Sequence, residues 1–261
     1  MKIKTGNTTF NIKINGSDEK PWLILSNSLG TDYSMWDNQV NLLSKAYKIL
    51  RYDTRGHGKT EVTKGPYSFD ILCEDVINIM NFLEISKASF MGLSMGGMTG
   101  IGLGIKYPER FVRVICAAAR ADVTDELKII WEERINTIKA KGLSSIINST
   151  LKNWISESTQ KNYPSVINYI KKMVTSHNPD GYISNCEALK NLNYLTKLDQ
   201  IRIPFLYIGG SKDFVAPPNI MKEMSLKTKG SEYIEVQDAY HLLNLDKPKN
   251  FEKGISKFLA L

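Results

Sequence analysis

An α/β fold, with a mostly parallel sheet flanked by helices and a helical segment inserted late in the chain, is what the sequence predicts. Three observations carry this. Short apolar runs alternate with helical patterns along most of the 261 residues, as expected of a parallel sheet whose strands are joined by helices. Residues 121–196 break that rhythm and read as helices alone. A glycine-rich stretch, SFMGLSMGGMTG at residues 89–100, lies between an apolar run and a helical one.

The first fourteen residues alternate around TGNT and read as an antiparallel hairpin. Six apolar runs follow: WLIL (22–25), YKILRY (47–52), ASFMGL (88–93), FVRVICAAA (111–119), PFLYIGG (204–210) and SEYIEV (231–236). With the hairpin they make eight strands. Helical patterns fall near 36–45, 69–84, 95–106, 217–227 and 248–260, so the crossovers should be right-handed.

The sixth strand is followed by four helical stretches, TDELKIIWEERINTIKAKG, LSSIINSTLKNWIS, YPSVINYIKKMVTS and GYISNCEALKNL. Thr124 suits a helix cap and Gly142 a helix stop. The expected organisation is a core of residues 1–120 and 197–261 with a helical cap over 121–196, placed to cover a site.

Composition narrows the function classes. Thirty-four Lys and Arg against 27 Asp and Glu give a net charge of +7. The lysines are scattered without a block of five like charges, so no nucleic-acid partner is expected; weak steering of anionic substrates is. Cys73, Cys116 and Cys186 are odd in number and widely spaced. They suit neither a metal site nor a disulfide framework, and a reducing cytoplasm is expected. No apolar run reaches about 18 residues, so no membrane span is expected. The opening MKIKTGNTTFNIKING lacks an apolar h-region, so no secretory signal is expected either.

Glycine weakens a helix by roughly 1 kcal/mol against alanine, so a helix opening on several glycines needs a reason. Gly92-Leu93-Ser94-Met95-Gly96 is a G-x-S-x-G element. A sharp strand-to-helix turn forces the serine into strained backbone angles and brings neighbouring chains very close, and glycines two before and two after leave room for this. The turn lifts the hydroxyl above the sheet edge and aims a helix N-terminus at it, where negative charge is stabilised.

A serine nucleophile needs a base. In this arrangement the acid and then the histidine follow the serine in the chain. His241, in VQDAYHLLNLDKP after the last strand, meets both order and position. His57, in DTRGHGKT, precedes the serine and reads as structural or site-lining. His177 lies among the inserted helices, with a surface role expected. The orienting acid should follow the penultimate strand, where FLYIGGSKDFVAPP supplies Asp213; Asp238, three residues before His241, is the rival. The acid would hold the histidine tautomer and stabilise the imidazolium. Two oxyanion donors are expected, the N–H of Met95 directly after the nucleophile and that of Leu29 in the loop SNSLGTD.

Together these residues resemble the α/β-hydrolase fold superfamily along nearly the whole chain. Within it the sequence is similar to the 3-oxoadipate enol-lactonase family, through LSNSLGTDYSMWDNQ, YKILRYDTRGHGKT, GPYS, FMGLSMGGMTG, YPERF and AYHLLNLDKP. Most α/β-hydrolases carry His-Gly where this chain has Asn27-Ser28, as that family does. WEER in the insertion also resembles the family. CAAAR departs from the family's usual NTAAR, with Cys116 at a polar position.

The resemblance implies an eight-stranded α/β-hydrolase fold and a small five-membered enol-lactone bearing a carboxylate side chain, hydrolysed without metal or organic cofactor. Ser94 would attack the lactone carbonyl, His241 would take its proton, and water would release 3-oxoadipate from an acyl-enzyme. Arg134, three residues after Trp131 on one helix face, is the expected carboxylate anchor; the alternative for Arg134 is a surface ion pair, and Arg120 is the second anchor candidate. Asn27, Ser28 and Trp131 join the expected substrate contacts, with Trp154 given to lid packing.

Two other readings use the same residues. One is a carboxylesterase acting on another small or carrier-bound ester. The other is a ligand-binding receptor on a hydrolase scaffold, which steady multiple turnover would exclude. A dehalogenase would need an aspartate where Ser94 stands.

Overall fold

The computed structural model describes residues 1–261. The hairpin is β1 (Lys2–Thr5) and β2 (Thr8–Asn15), closed at Gly6-Asn7. Then come β3 (Trp22–Ser26), α1 (Asp37–Leu43), β4 (Lys48–Tyr52), α2 (Phe69–Phe82), β5 (Ala88–Leu93), α3 (Met95–Lys106) and β6 (Phe111–Ala117). Five helices follow: α4 (Asp125–Lys141), α5 (Ile147–Trp154), α6 (Glu157–Asn162), α7 (Pro164–Ser176) and α8 (Pro179–Lys190). The chain closes with β7 (Phe205–Gly210), α9 (Pro218–Lys227), β8 (Glu232–Val236), α10 (Leu243–Asp246) and α11 (Pro248–Leu259).

The eight strands form one sheet in the order β1-β2-β4-β3-β5-β6-β7-β8. The hairpin pairs antiparallel with itself and with β4, and every later pairing is parallel. Strands β5 and β7 are buried along their whole length, which is why they read as unbroken apolar runs rather than alternating ones. Helices flank the sheet in groups, α1 packing with α11 and α2 with α3, while α3 lies against β5 and β6 and α9 against β7 and β8.

The order places a switch point beside β3. The chain leaves β3 for β4 on one side, then returns to β5 on the other. Loops leaving the carboxyl ends of β3 and β5 therefore diverge around a crevice, the usual place for a ligand in such sheets. The register pairs Ser26 with Gly92 across that point, so the segments holding Leu29 and Ser94 start side by side.

Helix limits follow local chemistry. Thr124 Oγ1 accepts the Leu127 N–H at 3.4 Å and caps α4, while Gly142 at φ 72° ends it. Two local readings are corrected. Strand β6 stops at Ala117 rather than 119, because Ala118 turns to φ 45°. Helix α6 was not anticipated: its ESTQKN sequence is polar, and a cap from Ser156 to the Thr159 N–H sets it instead of an apolar stripe.

Candidate active site

Ser94 occupies the turn between β5 and α3 with φ 55° and ψ −114°, a strained backbone for a residue with a side chain. The glycines around it answer to crowding. A Cβ on Gly92 would lie 2.0 Å from the Gly96 carbonyl oxygen, and one on Gly96 would lie 2.4 Å from the Ser26 carbonyl oxygen. Helix α3 can thus start directly on β5 and press against the end of β3. Ser94 itself donates its N–H to the Ala117 carbonyl at 2.8 Å, which fixes the turn to β6.

Ser94 Oγ lies 2.9 Å from His241 Nε2, and His241 Nδ1 lies 2.8 Å from Asp213 Oδ2. In the neutral histidine, Nδ1–H donates to the carboxylate and the serine hydroxyl donates to Nε2. The other carboxylate oxygen, Asp213 Oδ1, accepts the N–H groups of Val215 at 2.7 Å and Ala216 at 3.0 Å. The acid is therefore locked from both sides. All three residues are buried. Their loops are laced together, with the Lys212 N–H on the Ala239 carbonyl at 3.0 Å. Asp238 is exposed at φ 57° and receives its own hydrogen bond from no part of the imidazole; its backbone N–H donates to Ser211 Oγ.

Met95 begins α3, so its N–H has no intrahelical acceptor. The Leu29 N–H makes no hydrogen bond within the protein. Leu29 and Ser28 line a cavity of about 210 Å³ together with Ser94 and His241. Eleven of its nineteen lining residues are hydrophobic, so a charge inside is weakly screened.

Helices α4 and α5 complete the cavity. Arg134 and Trp131 line it from α4, and Thr150 and Trp154 from α5. The Arg134 Nε donates to Tyr182 Oη at 3.0 Å, and Nη2 donates to Tyr182 Oη and Thr150 Oγ1, each at 2.8 Å. Burial pushes the Tyr182 phenol up to about 12, so it meets the guanidinium as a neutral hydroxyl. Arg134 therefore has no carboxylate partner, and Nη1 has no protein partner at all. The surface ion pairs on this helix belong to Asp125, with Lys128, and to Glu132, with Lys190. Arg120 also lines the cavity, but Asp122 stands 4.0 Å from it.

Three expectations change. Asn27 does not line the cavity: its Nδ2 donates to the Ser28 carbonyl at 3.0 Å and the Thr31 carbonyl at 2.7 Å, and its Oδ1 accepts the Thr54 N–H and hydroxyl. With every polar position used, its amide binds the loop rather than a ligand. Trp154 is a cavity wall as well as packing. His177 is buried instead of exposed, its Nδ1 accepting the Gly58 N–H at 3.0 Å, because the turn from α7 to α8 tucks under the loop after β4. Tyr182 and Thr150, which hold Arg134, were not singled out from sequence; an isolated tyrosine or threonine in a helical pattern carries no signal of its partner.

The chain matches the family model described as alpha/beta hydrolase fold over residues 21–248. It is 35% identical to "3-oxoadipate enol-lactonase 1" of Acinetobacter baylyi, the match covering 96% of this chain and 93% of that one. It is 34% identical to "3-oxoadipate enol-lactonase 2" of the same organism, over 92% and 89% of the two chains. Among solved structures it superposes on the enol-lactonase from Burkholderia xenovorans LB400 with a TM-score of 0.97 at 35% identity, covering all of both chains.

Proposed function

The chain belongs to the α/β-hydrolase fold family, and within it to that of the 3-oxoadipate enol-lactonases; from that premise we propose that it hydrolyses a small enol-lactone bearing a carboxylate, giving 3-oxoadipate through an acyl-enzyme on Ser94. One observation carries the reading: an unpaired guanidinium, Arg134, faces the same small cavity as a hydrogen-bonded Ser94–His241–Asp213 triad.

The steps follow from the atoms in place. Ser94 Oγ attacks the lactone carbonyl carbon while His241 Nε2 takes its proton. The carbonyl oxygen becomes an oxyanion and accepts hydrogen bonds from the Leu29 and Met95 N–H groups, at the positive end of α3. The intermediate collapses, the ring C–O bond breaks, and His241 returns the proton to the leaving enol oxygen. The enol becomes a ketone. Water then attacks the acyl carbon, giving its proton to His241, and Ser94 leaves with that proton. Asp213 keeps Nδ1 protonated and offsets the imidazolium charge in both halves.

Size and charge support the substrate class. The cavity, about 210 Å³, lies below the roughly 300–1,000 Å³ of drug-sized sites, which suits a compact ring. The side-chain carboxylate pairs with Arg134 rather than Arg120, whose charge is already shared with Asp122. Helices α4 to α8 act as a lid that shapes this cavity and sets substrate choice.

Loss of the enol-lactone's ultraviolet absorbance, followed with the purified protein beside Ser94→Ala, tests the reading. Fast turnover that the substitution abolishes is expected. An intact lactone together with cleaved p-nitrophenyl acetate would leave the triad standing and move the substrate to another small ester.

A further inference from the structure

The loop carrying Leu29 is shaped by two buried side chains that touch no substrate. We propose that Asn27 and His57 are positioning residues of the hydrolysis, fixing the two peptide planes on either side of Leu29 so that its N–H is presented to the oxyanion. The proposal rests on the reading of Leu29 as an oxyanion donor.

The geometry is specific to that one N–H. The peptide joining Ser28 to Leu29 carries the Leu29 N–H at one edge and the Ser28 carbonyl at the other. In a trans peptide these point in opposite directions. The Ser28 carbonyl accepts three hydrogen bonds: Asn27 Nδ2 at 3.0 Å, Thr31 Oγ1 at 2.9 Å and the Thr31 N–H at 3.2 Å. With the carbonyl held into the loop, the N–H is held out of it, on the side of Leu29 that lines the cavity.

The next peptide plane is held by His57. Its Nε2 accepts the Gly30 N–H at 2.9 Å. Gly30 sits at φ 73°, and a Cβ there would meet the Tyr182 ring at 3.0 Å and Trp154 at 3.5 Å. Gly30 is therefore hydrogen-bonded from the core, with the inserted helices close above it. Accepting from Gly30 requires a neutral imidazole with its proton on Nδ1, which faces the Arg55 carbonyl at 3.4 Å. Burial and the neighbouring His177 ring, at 4.8 Å in an edge contact, both favour that neutral form.

Both side chains belong to one template. Asn27 Oδ1 accepts the Thr54 N–H at 2.9 Å and hydroxyl at 2.8 Å, and Thr54 and His57 share the loop after β4. That loop, which is remote in sequence from Ser94, casts the shape of the loop after β3. Asn185 of α8 reaches the same place, donating to the Arg55 carbonyl at 2.9 Å. One bond from each side chain ends on a plane flanking Leu29, that of Asn27 on the Ser28 carbonyl and that of His57 on the Gly30 N–H; the second Asn27 donor goes to the Thr31 carbonyl and braces the same loop.

The test compares kcat, KM and Tm for wild type, His57→Leu, His57→Gln and Asn27→Asp on the enol-lactone and on p-nitrophenyl acetate. His57→Leu removes the acceptor, and His57→Gln can restore one near the Nε2 position. Asn27→Asp keeps the Thr54 contacts and loses both donors. Misplacing a donor by about 1 Å can lower the rate roughly 100-fold, so kcat should fall about 10- to 100-fold in His57→Leu and Asn27→Asp on both substrates. KM should stay within about twofold and His57→Gln should recover most of kcat, because the lost interaction is realised only in the transition state. Unchanged kcat with a lowered Tm, or a loss confined to KM, overturns the proposal. Should His57→Leu fail to fold, His57→Asn is read instead, since it keeps a polar group but reaches short of Gly30. A wild type that cleaves only p-nitrophenyl acetate would sink the lactone reading while the same variants still decide this one on that ester. A wild type silent on both substrates overturns both.

Discussion

Replacing Arg134 by Gln isolates the charge that we assign to substrate recognition. The side chain now spends Nε and Nη2 on two neutral hydroxyls, Tyr182 and Thr150, and leaves Nη1 to the cavity. Glutamine can still donate to Tyr182, so the wall should survive while the charge goes. A carboxylate about 4 Å from a guanidinium gains roughly 4 kcal/mol at an effective dielectric near 20, part of which offsets desolvation of both ions. The net worth of a charge-assisted hydrogen bond is about 1.5–3 kcal/mol. At about 1.4 kcal/mol per factor of ten, kcat/KM for the carboxylated lactone should fall about 10- to 150-fold. The assay is steady-state hydrolysis of the lactone beside p-nitrophenyl acetate, a neutral ester that should change less than about threefold on the same scale. Arg134→Lys should recover part of the loss, because it restores the charge without the fork. Equal losses on both esters would mean that Arg134 only braces the wall, and the anchoring argument would be wrong.

Other consequences are as direct. Asp213→Asn should lower kcat about 10⁴-fold by presenting the wrong histidine tautomer, whereas Asp238→Asn should leave it unchanged; a reversed ranking in a kinetic comparison would displace Asp213 as the orienting acid. Gly96→Ala must push a methyl into the Ser26 carbonyl, so the unfolding free energy measured in urea should drop by about 1–3 kcal/mol or more, together with kcat. The buried His57 and His177 have proton affinities lowered chiefly by desolvation. Below the ordinary histidine pKa, near 6.5, the unfolded chain takes up protons at both positions more readily than the folded one, so stability is full above that pH and falls as pH drops through it. The slope is bounded by about 1.4 kcal/mol per pH unit for each histidine; urea titrations between pH 6.5 and 5 should show stability falling with pH, and His177→Gln should reduce the fall. A flat profile in wild type would mean that neither ring is kept neutral by the fold.

Much of this was legible because it is written in short segments. Alternating apolar runs and helical patterns named the strands. The G-x-S-x-G element named the nucleophile, since its glycines respond to crowding within a five-residue turn. Chain order then pointed to Asp213 and His241. What could not be read were side chains whose role depends on distant partners. Asn27 looked like a ligand contact from its place beside Leu29, yet its own loop takes up the amide nitrogen and Thr54, after β4, takes up the oxygen. His177 looked exposed because nothing in an isolated helical end reveals the loop that will cover it. Tyr182 gave no sign that it would hold Arg134, 48 residues earlier.

The sequence by itself determined the strand-and-helix rhythm, the strained serine turn, the order of the triad and a family kinship, because each depends on local sterics, on hydrophobic periodicity or on position along the chain. Tertiary structure alone decided which cation faces the cavity unpaired, which walls narrow it, and how the Leu29 amide is aimed. Those are set by the strand order that places β3 between β4 and β5, and by inserted helices packing over the crevice. Burial and hydrogen-bond satisfaction are properties of what surrounds a group, and the surroundings of Arg134, Asn27 and His57 come from segments far from them in sequence.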